Sequence, residues 1–181
     1  MERRFLVVIA ILGSLLLDGG AVGATATASI RLDGNGLGIV SFGASSSSVT
    51  NRLTAVLGAP TGHPSAGCAG DYSQVAWHDL IAQFRNGRFS GYRYLAGGPA
   101  GVSPTITTLR SATVPKLATA TGITLGDTFA EVRRAYPVLR QSGSDFWRTA
   151  SGIVFAFDAP TDPVATSLIY EIKNDACPAA L

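Results

Sequence analysis

The sequence predicts an α+β fold built from a tandem repeat of two units, each a helix followed by an antiparallel β-meander. Internal repetition is the first observation, because a shift of 83 residues places Gly43 on Gly126 and Val49 on Val132. In both copies a short apolar strand, a glycine and a polar cap precede apolar residues at helical spacing. Alternating apolar and polar residues follow each helix, which is typical of antiparallel strands. The length of 181 residues fits one domain or two small ones.

Residues 1–28 are predicted to be a signal peptide. Arg3 and Arg4 form a positive start, and the uncharged run 5–17 follows. That run is shorter than the roughly 20 apolar residues that a transmembrane helix needs. Small residues up to Ala28 provide cleavage sites. The alternative, an uncleaved anchor, is less favoured because the flank is small and polar rather than basic. We therefore expect a secreted, extracytoplasmic protein with no integral membrane segment after cleavage.

The first α+β unit is predicted over 29–96. Its opening strand, within 30–39, turns at Asp33-Gly34-Asn35-Gly36. A helix follows, ended by Gly58 and Pro60. Its apolar residues share one face: Val49, Leu53, Val56 and Leu57.

The meander of the first unit begins with two alternating segments around Val75–Trp77 and Leu80–Phe84. Asn86-Gly87 is a strong signal for a type I′ hairpin, because both positions of that turn need positive φ. Arg88–Tyr94 then forms the returning strand. We expect Trp77 to lie in the core.

The inter-unit connection is predicted over 97–118, and the second α+β unit over 119–181. Thr128-Phe129-Ala130-Glu131 has the pattern of a capping box, so Glu131 is better explained as a helix cap than as a catalytic acid. The predicted strands of this unit are 146–149, 153–157 and 166–172, with Trp147 in the core.

The two cysteines, Cys68 and Cys177, are predicted to form one disulfide bond, because an exported chain folds in an oxidising space. The alternative is a reactive thiol or a metal ligand. It is less favoured because neither cysteine lies in a Cys-x-x-Cys spacing or beside a histidine.

The sequence contains few residues of the types that usually act in catalysis. The histidines are His63 and His78, and a secreted hydrolase would have to use one of them with an acid such as Asp71 or Asp79. No Gly-x-Ser-x-Gly elbow is present, and no spacing indicates a metal site or a phosphate loop. We therefore expect no enzyme activity, no cofactor and no metal. A net charge of +2, with basic and acidic residues interspersed, argues against a nucleic-acid partner.

A candidate binding surface lies on the strand that follows the hairpin. Arg88, Tyr92 and Tyr94 share one parity of the strand, opposite to Phe89 and Arg93. Amphipathic rings beside a guanidinium have the composition of an interaction patch. The alternative is that the tyrosine rings cover the core, since a half-buried sheet needs aromatic side chains on that side too.

These motifs carry a resemblance to known proteins. The chain resembles a group of small secreted proteins of high-GC Gram-positive bacteria whose function is unassigned. The residues that carry this resemblance are Phe42-Gly43, Val49, Leu53, Gly58-x-Pro60, Cys68, Trp77-x-x-Leu80, Phe84, Phe89-x-Gly91-Tyr92-x-Tyr94, Gly126 and Cys177. The repeated unit is similar in fold to β-lactamase inhibitory protein and to the SmpA/OmlA lipoproteins. The chain differs from the inhibitor, which has a disulfide inside each unit, and it lacks the acylated cysteine of the lipoproteins.

These observations together predict a non-enzymatic interaction module. We expect it to bind a protein or a cell-envelope ligand through its β-sheet faces. Two alternatives remain: a secreted hydrolase that uses His78 or His63, and an inhibitor of a secreted enzyme such as a β-lactamase.

Overall fold

The computed structural model of the protein describes residues 30–64, 72–97, 116–158 and 167–174. The predicted signal peptide (1–28), both cysteines and Asp71 lie outside the described residues, as does most of the predicted connection 97–118. The disulfide and the leader therefore stay predictions.

The described residues form nine strands and two helices. The strands are β1 (Arg31–Leu32), β2 (Tyr72–Trp77), β3 (Leu80–Arg85), β4 (Arg88–Leu95), β5 (Ala118–Thr119), β6 (Leu139–Gln141), β7 (Phe146–Thr149), β8 (Val154–Phe157) and β9 (Ile169–Asn174), and the helices are α1 (Ser46–Leu57) and α2 (Phe129–Ala135). Seven strands form one antiparallel sheet in the order β2-β3-β4-β9-β8-β7-β6, while β1 and β5 form a separate parallel pair.

The predicted fold class is wrong. The described chain is mostly β, with 43% of it in strands and 17% in helices, and two helix-plus-meander repeats are not evident. The physical reason lies at the middle of the sheet, where β9 pairs with β4 through partners such as Tyr94 and Ile172. That ladder satisfies the backbone groups of both strands, so neither meander ends in an edge at this point. The strands therefore form one continuous sheet and not two tandem units. The predicted inhibitor-like repeat is wrong for the same reason.

Helix α1 begins and ends where the sequence indicates. The Ser45 side chain accepts a hydrogen bond from the Ser48 backbone N–H, and Gly58 follows the last turn with φ of 86°. Val49 and Leu53 are buried, but Val56 is 42% exposed although helical spacing puts it on the same stripe. The apolar stripe of α1 is thus wider than the surface that the helix contacts.

Helix α2 has the capping box that the sequence predicts. Thr128 Oγ1 accepts from the Glu131 backbone N–H at 3.3 Å, and Glu131 Oε2 accepts from the Thr128 N–H at 2.7 Å. The role of Glu131 as a cap is confirmed. The tight hairpin is confirmed as well, because Asn86 and Gly87 join β3 to β4 with φ of 50° and 68°.

The sheet has two different faces. Its inner face belongs to the main apolar cluster of the described chain, which also includes Val49 of α1 and Val132 of α2. Trp77 is buried there, and the partly buried Trp147 packs against Phe129, with ring centroids 5.0 Å apart. The outer face carries alternate residues of the same strands, among them Ile81, Arg93 and Lys173.

Membrane-crossing helices are absent from the part of the chain that the structure describes, since neither α1 nor α2 has the length and apolar character that a span requires.

Candidate functional site: a cleft and a basic strip

Tyr92 and Tyr94, two of the three predicted binding residues, lie in the core, with 0% and 3% of their surface exposed. Tyr92 Oη donates a hydrogen bond to the Asp33 carbonyl at 3.0 Å, and the Leu117 N–H donates to Tyr94 Oη at 3.4 Å. Burial raises the pKa of both phenols. The rings therefore do not form a surface that a partner can contact.

A β-bulge at Ser90 explains this placement. Gln83 pairs with Gly91 and Phe84 pairs with Phe89, so Ser90 has no opposite residue on β3. The extra residue changes the parity of the strand, and Phe89 and Tyr92 consequently face the same side. Phe42 lies between them, with ring-centroid distances of 5.1 Å to Phe89 and 6.3 Å to Tyr92.

Arg88, the third predicted binding residue, is exposed at the start of β4. Its Nη1 donates a hydrogen bond to the Gly43 carbonyl at 2.9 Å. Arg88 thus connects the turn before α1 to the β3–β4 hairpin.

Both histidines, His63 and His78, are exposed. His78 occupies the β2–β3 turn with φ of 53°, and its backbone N–H donates to Thr61 Oγ1 at 2.8 Å. Among the described residues neither histidine side chain makes a hydrogen bond or ion pair with a carboxylate. The described residues also contain no group of three side chains able to hold a metal ion.

A cleft of about 530 Å³, lined by both polar and apolar groups, opens between the N-terminal turn and two other turns of the chain. The N-terminal turn contributes Arg31, Asp33 and Asn35 to its lining, and Tyr136, the residue after α2, lines it too. The remaining walls include Thr121, from the turn after β5, and Ser151, from the β7–β8 turn.

These last two turns have the same structure. One spans Thr119–Ile123 and reads Thr-Ala-Thr-Gly-Ile, and the other spans Thr149–Ile153 and reads Thr-Ala-Ser-Gly-Ile. In each turn the first threonine Oγ1 accepts from the isoleucine N–H at 3.1 Å. The same Oγ1 lies within hydrogen-bond distance of the third residue's hydroxyl, at 3.1 Å in one turn and 2.9 Å in the other. We call them the twin turns.

The N-terminal turn is held firmly against the sheet. Tyr92 Oη donates to the Asp33 carbonyl, and Asn174 Nδ2 donates to the Gly34 carbonyl at 2.7 Å. A Cβ atom added to Gly34 would lie 2.1 Å from the Ser151 carbonyl oxygen, so only glycine permits this close approach. The cleft is therefore bounded by a fixed turn on each side.

The charged groups of the cleft form one ion pair. Arg31 Nε donates to Asp33 Oδ2 at 3.0 Å. Within the described residues, Asp33 Oδ1 and the terminal nitrogens of Arg31 have no hydrogen-bond partner. These free groups are available to a ligand.

A second candidate site, which we call the basic strip, crosses the outer face of the sheet. Its members are Arg93 of β4, Lys173 of β9, Arg148 of β7 and Arg140 of β6. The strand register aligns them in one row, with Val154 of β8 between Lys173 and Arg148. The row extends about 19 Å, because neighbouring strands lie ~4.8 Å apart.

The two ends of the basic strip differ in their charge environment. Arg93 Nε donates to the buried Glu171 carboxylate at 2.5 Å, and Lys173 Nζ lies 3.8 Å from the same carboxylate. Arg148 and Arg140 are exposed and pair directly across strands. In the described chain neither of these two guanidiniums has an ion pair or a hydrogen bond. Like charges placed directly opposite each other are destabilising, so this end favours an anion.

Sequence reasoning did not find either site. The twin turns could have been found in the sequence, because similar five-residue segments begin 30 residues apart, at Thr119 and at Thr149. The basic strip had none, because its members come from four strands whose register the sequence does not show.

Comparison with known proteins found no relative of the chain. No protein-family model, no curated protein and no solved structure matches the chain.

Proposed function

We propose that the protein is a secreted, non-enzymatic binding module that contacts an acidic partner through the basic strip. The observation that carries this proposal is the exposed pair Arg140 and Arg148, opposite each other and without a carboxylate partner among the described residues. The leader-like sequence of residues 1–28 supports the extracytoplasmic location.

Charge complementarity supports an acidic partner. The strip has four cations, and the buried Glu171 carboxylate, on the same face, is shared by two of them. A carboxylate or phosphate of a partner can bind a guanidinium through two parallel hydrogen bonds, which gives orientation as well as attraction. Such groups would also relieve the repulsion between Arg140 and Arg148.

An aromatic ring adjoins the basic strip. Lys173 Nζ lies 4.3 Å from the centroid of the Phe146 ring, which fixes the ammonium group over the ring face. Arginine and aromatic side chains are enriched where binding energy is concentrated in interfaces. The binding surface of the proposal therefore comprises the strip together with Phe146.

A structural role for the same arginines is the alternative that an experiment must exclude. β6 is an edge strand of the sheet, and charged side chains on edge strands prevent pairing with other chains. In that case removal of the arginines would promote aggregation but would leave any partner bound.

The test is an affinity capture with a matched control. We would immobilise the protein, an Arg140→Gln/Arg148→Gln variant and an Arg133→Gln/Arg134→Gln variant, and pass envelope and culture-supernatant extracts over each. The control removes the same charge from exposed arginines of α2. Mass spectrometry and phosphate analysis of the eluates distinguish a protein partner from an envelope polymer.

We expect a component that is retained by the wild type and the control but is lost from the strip variant. Its binding should also weaken as salt rises, because exposed charges are screened. Equal retention by all three proteins, or retention lost equally in the control, would remove the basic strip from the function.

A further inference from the structure

We propose that the cleft between the N-terminal turn and the twin turns binds a neutral, polyhydroxylated ligand of monosaccharide size. This site lies apart from the basic strip, and the inference does not depend on the function proposed above. The cleft volume of about 530 Å³ falls in the range of small-molecule sites.

The charge balance of the cleft favours an uncharged ligand. Arg31 and Asp33 are the charged residues among the described lining, and they neutralise each other at 3.0 Å. An anion that approaches Arg31 also meets the Asp33 carboxylate, and a cation that approaches Asp33 also meets the Arg31 guanidinium, so neither gains a net charge attraction. A neutral ligand leaves this ion pair intact.

The free polar atoms of Arg31 and Asp33 are complementary in hydrogen bonding to a ligand hydroxyl group. Asp33 Oδ1 accepts hydrogen bonds only, whereas the terminal nitrogens of Arg31 donate only. A ligand hydroxyl can donate to the first and accept from the second at the same time. A second, adjacent hydroxyl of a sugar or polyol can hydrogen-bond to Asn35, which also lines the cleft and whose amide both donates and accepts.

The twin turns add two hydroxyls whose positions are fixed before binding. Thr121 and Ser151 both line the cleft, and each is held by the first threonine of its own turn. The Asp33 backbone is likewise held by Tyr92. Groups that are already ordered lose little conformational freedom on binding, which raises affinity for a ligand that fits them.

Tyr136 supplies the apolar contact that a sugar ring needs. It lines the cleft, and its ring is fixed against Phe155 with the centroids 5.5 Å apart. One face of a pyranose ring presents C–H groups, which pack on aromatic rings, while its edge presents hydroxyls. An aromatic ring beside Asp33, Arg31 and Asn35 accommodates both parts of such a ligand.

The experiment is a titration followed by amide NMR signals of the purified protein. The probes are glucose, galactose, mannose and N-acetylglucosamine, with glucuronate as a charged probe. We expect at least one neutral sugar to shift the amide signals of Gly34, Thr121 and Gly152 in a saturable manner. Asp33→Asn should weaken that affinity about tenfold or more, because a charged acceptor becomes a neutral one.

Two further variants keep the outcome interpretable. Thr121→Ala removes one exposed cleft hydroxyl and should also weaken binding, whereas Arg134→Gln, on α2 outside the cleft, should not. Thermal melting identifies any variant that fails to fold. The proposal is overturned if none of the neutral sugars gives saturable shifts, if glucuronate alone binds, or if folded Asp33→Asn and Thr121→Ala proteins bind with wild-type affinity.

Discussion

Tyr92 connects three parts of the molecule through one side chain. Its ring lies in the core beside Phe42, and its hydroxyl reaches the Asp33 carbonyl in the N-terminal turn. The strand β4 that carries it lies next to the middle of the sheet. Tyr92, which the sequence offers either as a binding residue or as a core residue, is therefore buried and anchors one wall of the cleft.

Replacement of this tyrosine tests the anchor. Tyr92→Phe keeps the ring and removes the hydrogen bond, so we expect the free energy of unfolding at neutral pH to fall by about 1 kcal/mol. Urea denaturation measures this change. An unchanged midpoint would show that the hydroxyl does not hold the turn.

The stability of the protein at alkaline pH should also depend on Tyr92. Burial, followed by the charge of Asp33, raises the pKa of Tyr92 above its ordinary value of 10.0. Above pH 10 the unfolded state releases the Tyr92 proton while the folded state still holds it. The contribution of Tyr92 to the free energy of unfolding is therefore complete below pH 10 and is lost as pH rises further. The loss should reach up to about 1.4 kcal/mol for each pH unit. Tyr92→Phe should show a shallower decline, and identical slopes would contradict this assignment.

At the scale of single elements, the twin turns show how a short sequence can determine a local structure. Gly122 and Gly152 have φ of 86° and 92°, a region that side chains disfavour. The flanking threonine hydroxyls satisfy the N–H groups of Ile123 and Ile153. Two distant segments therefore present equivalent hydroxyls to one cleft.

The two glycines allow a matched pair of substitutions. Gly122→Ala places its Cβ in open space, so its cost should come from the backbone alone, about 1 kcal/mol. At Gly152 the new Cβ would also meet Asn174 Nδ2 at 3.4 Å, and this side chain holds the Gly34 carbonyl. We expect Gly152→Ala to cost at least as much as Gly122→Ala in thermal unfolding. A smaller cost at Gly152 would contradict the role of Asn174 as a fixed support.

At the scale of the whole molecule, the β4–β9 ladder decides the architecture. It joins the three-stranded meander β2-β3-β4 to the strands β9-β8-β7-β6. A single apolar cluster of buried residues then spans both halves, from Trp77 to Ile172. Separation of the halves would expose apolar surface and break backbone hydrogen bonds at the same time.

The continuous sheet should unfold in one step. The chain has two tryptophans, Trp77 on β2 and Trp147 on β7, so each half has its own fluorescent reporter. Single-tryptophan variants Trp147→Phe and Trp77→Phe should each show fluorescence and circular-dichroism transitions at a common urea midpoint. Each variant is compared with itself, which removes the effect of the substitution on stability. A fluorescence midpoint that differs from the circular-dichroism midpoint would indicate two independently folding units.

The local elements were predictable to the extent that their causes are local. The Ser45 cap, the Thr128–Glu131 box and the Asn86-Gly87 turn each depend on groups within about four residues, and all three are present. The exposed Val56 and the bulge at Ser90 were not predictable, because they depend on which surface a helix covers and on the register against β3. The bulge in turn decides that Tyr92 and Tyr94 are buried.

The sequence by itself thus determined the caps, the tight hairpin, and the strand positions around Trp77 and Phe155. Only the tertiary structure decided that the strands form one sheet, that four basic residues align across it, and that two similar turns meet at one cleft. Contacts such as Arg93 with Glu171 join residues 78 positions apart. Their formation depends on the balance of chain entropy against the burial and pairing of whole strands, which no short stretch of sequence records.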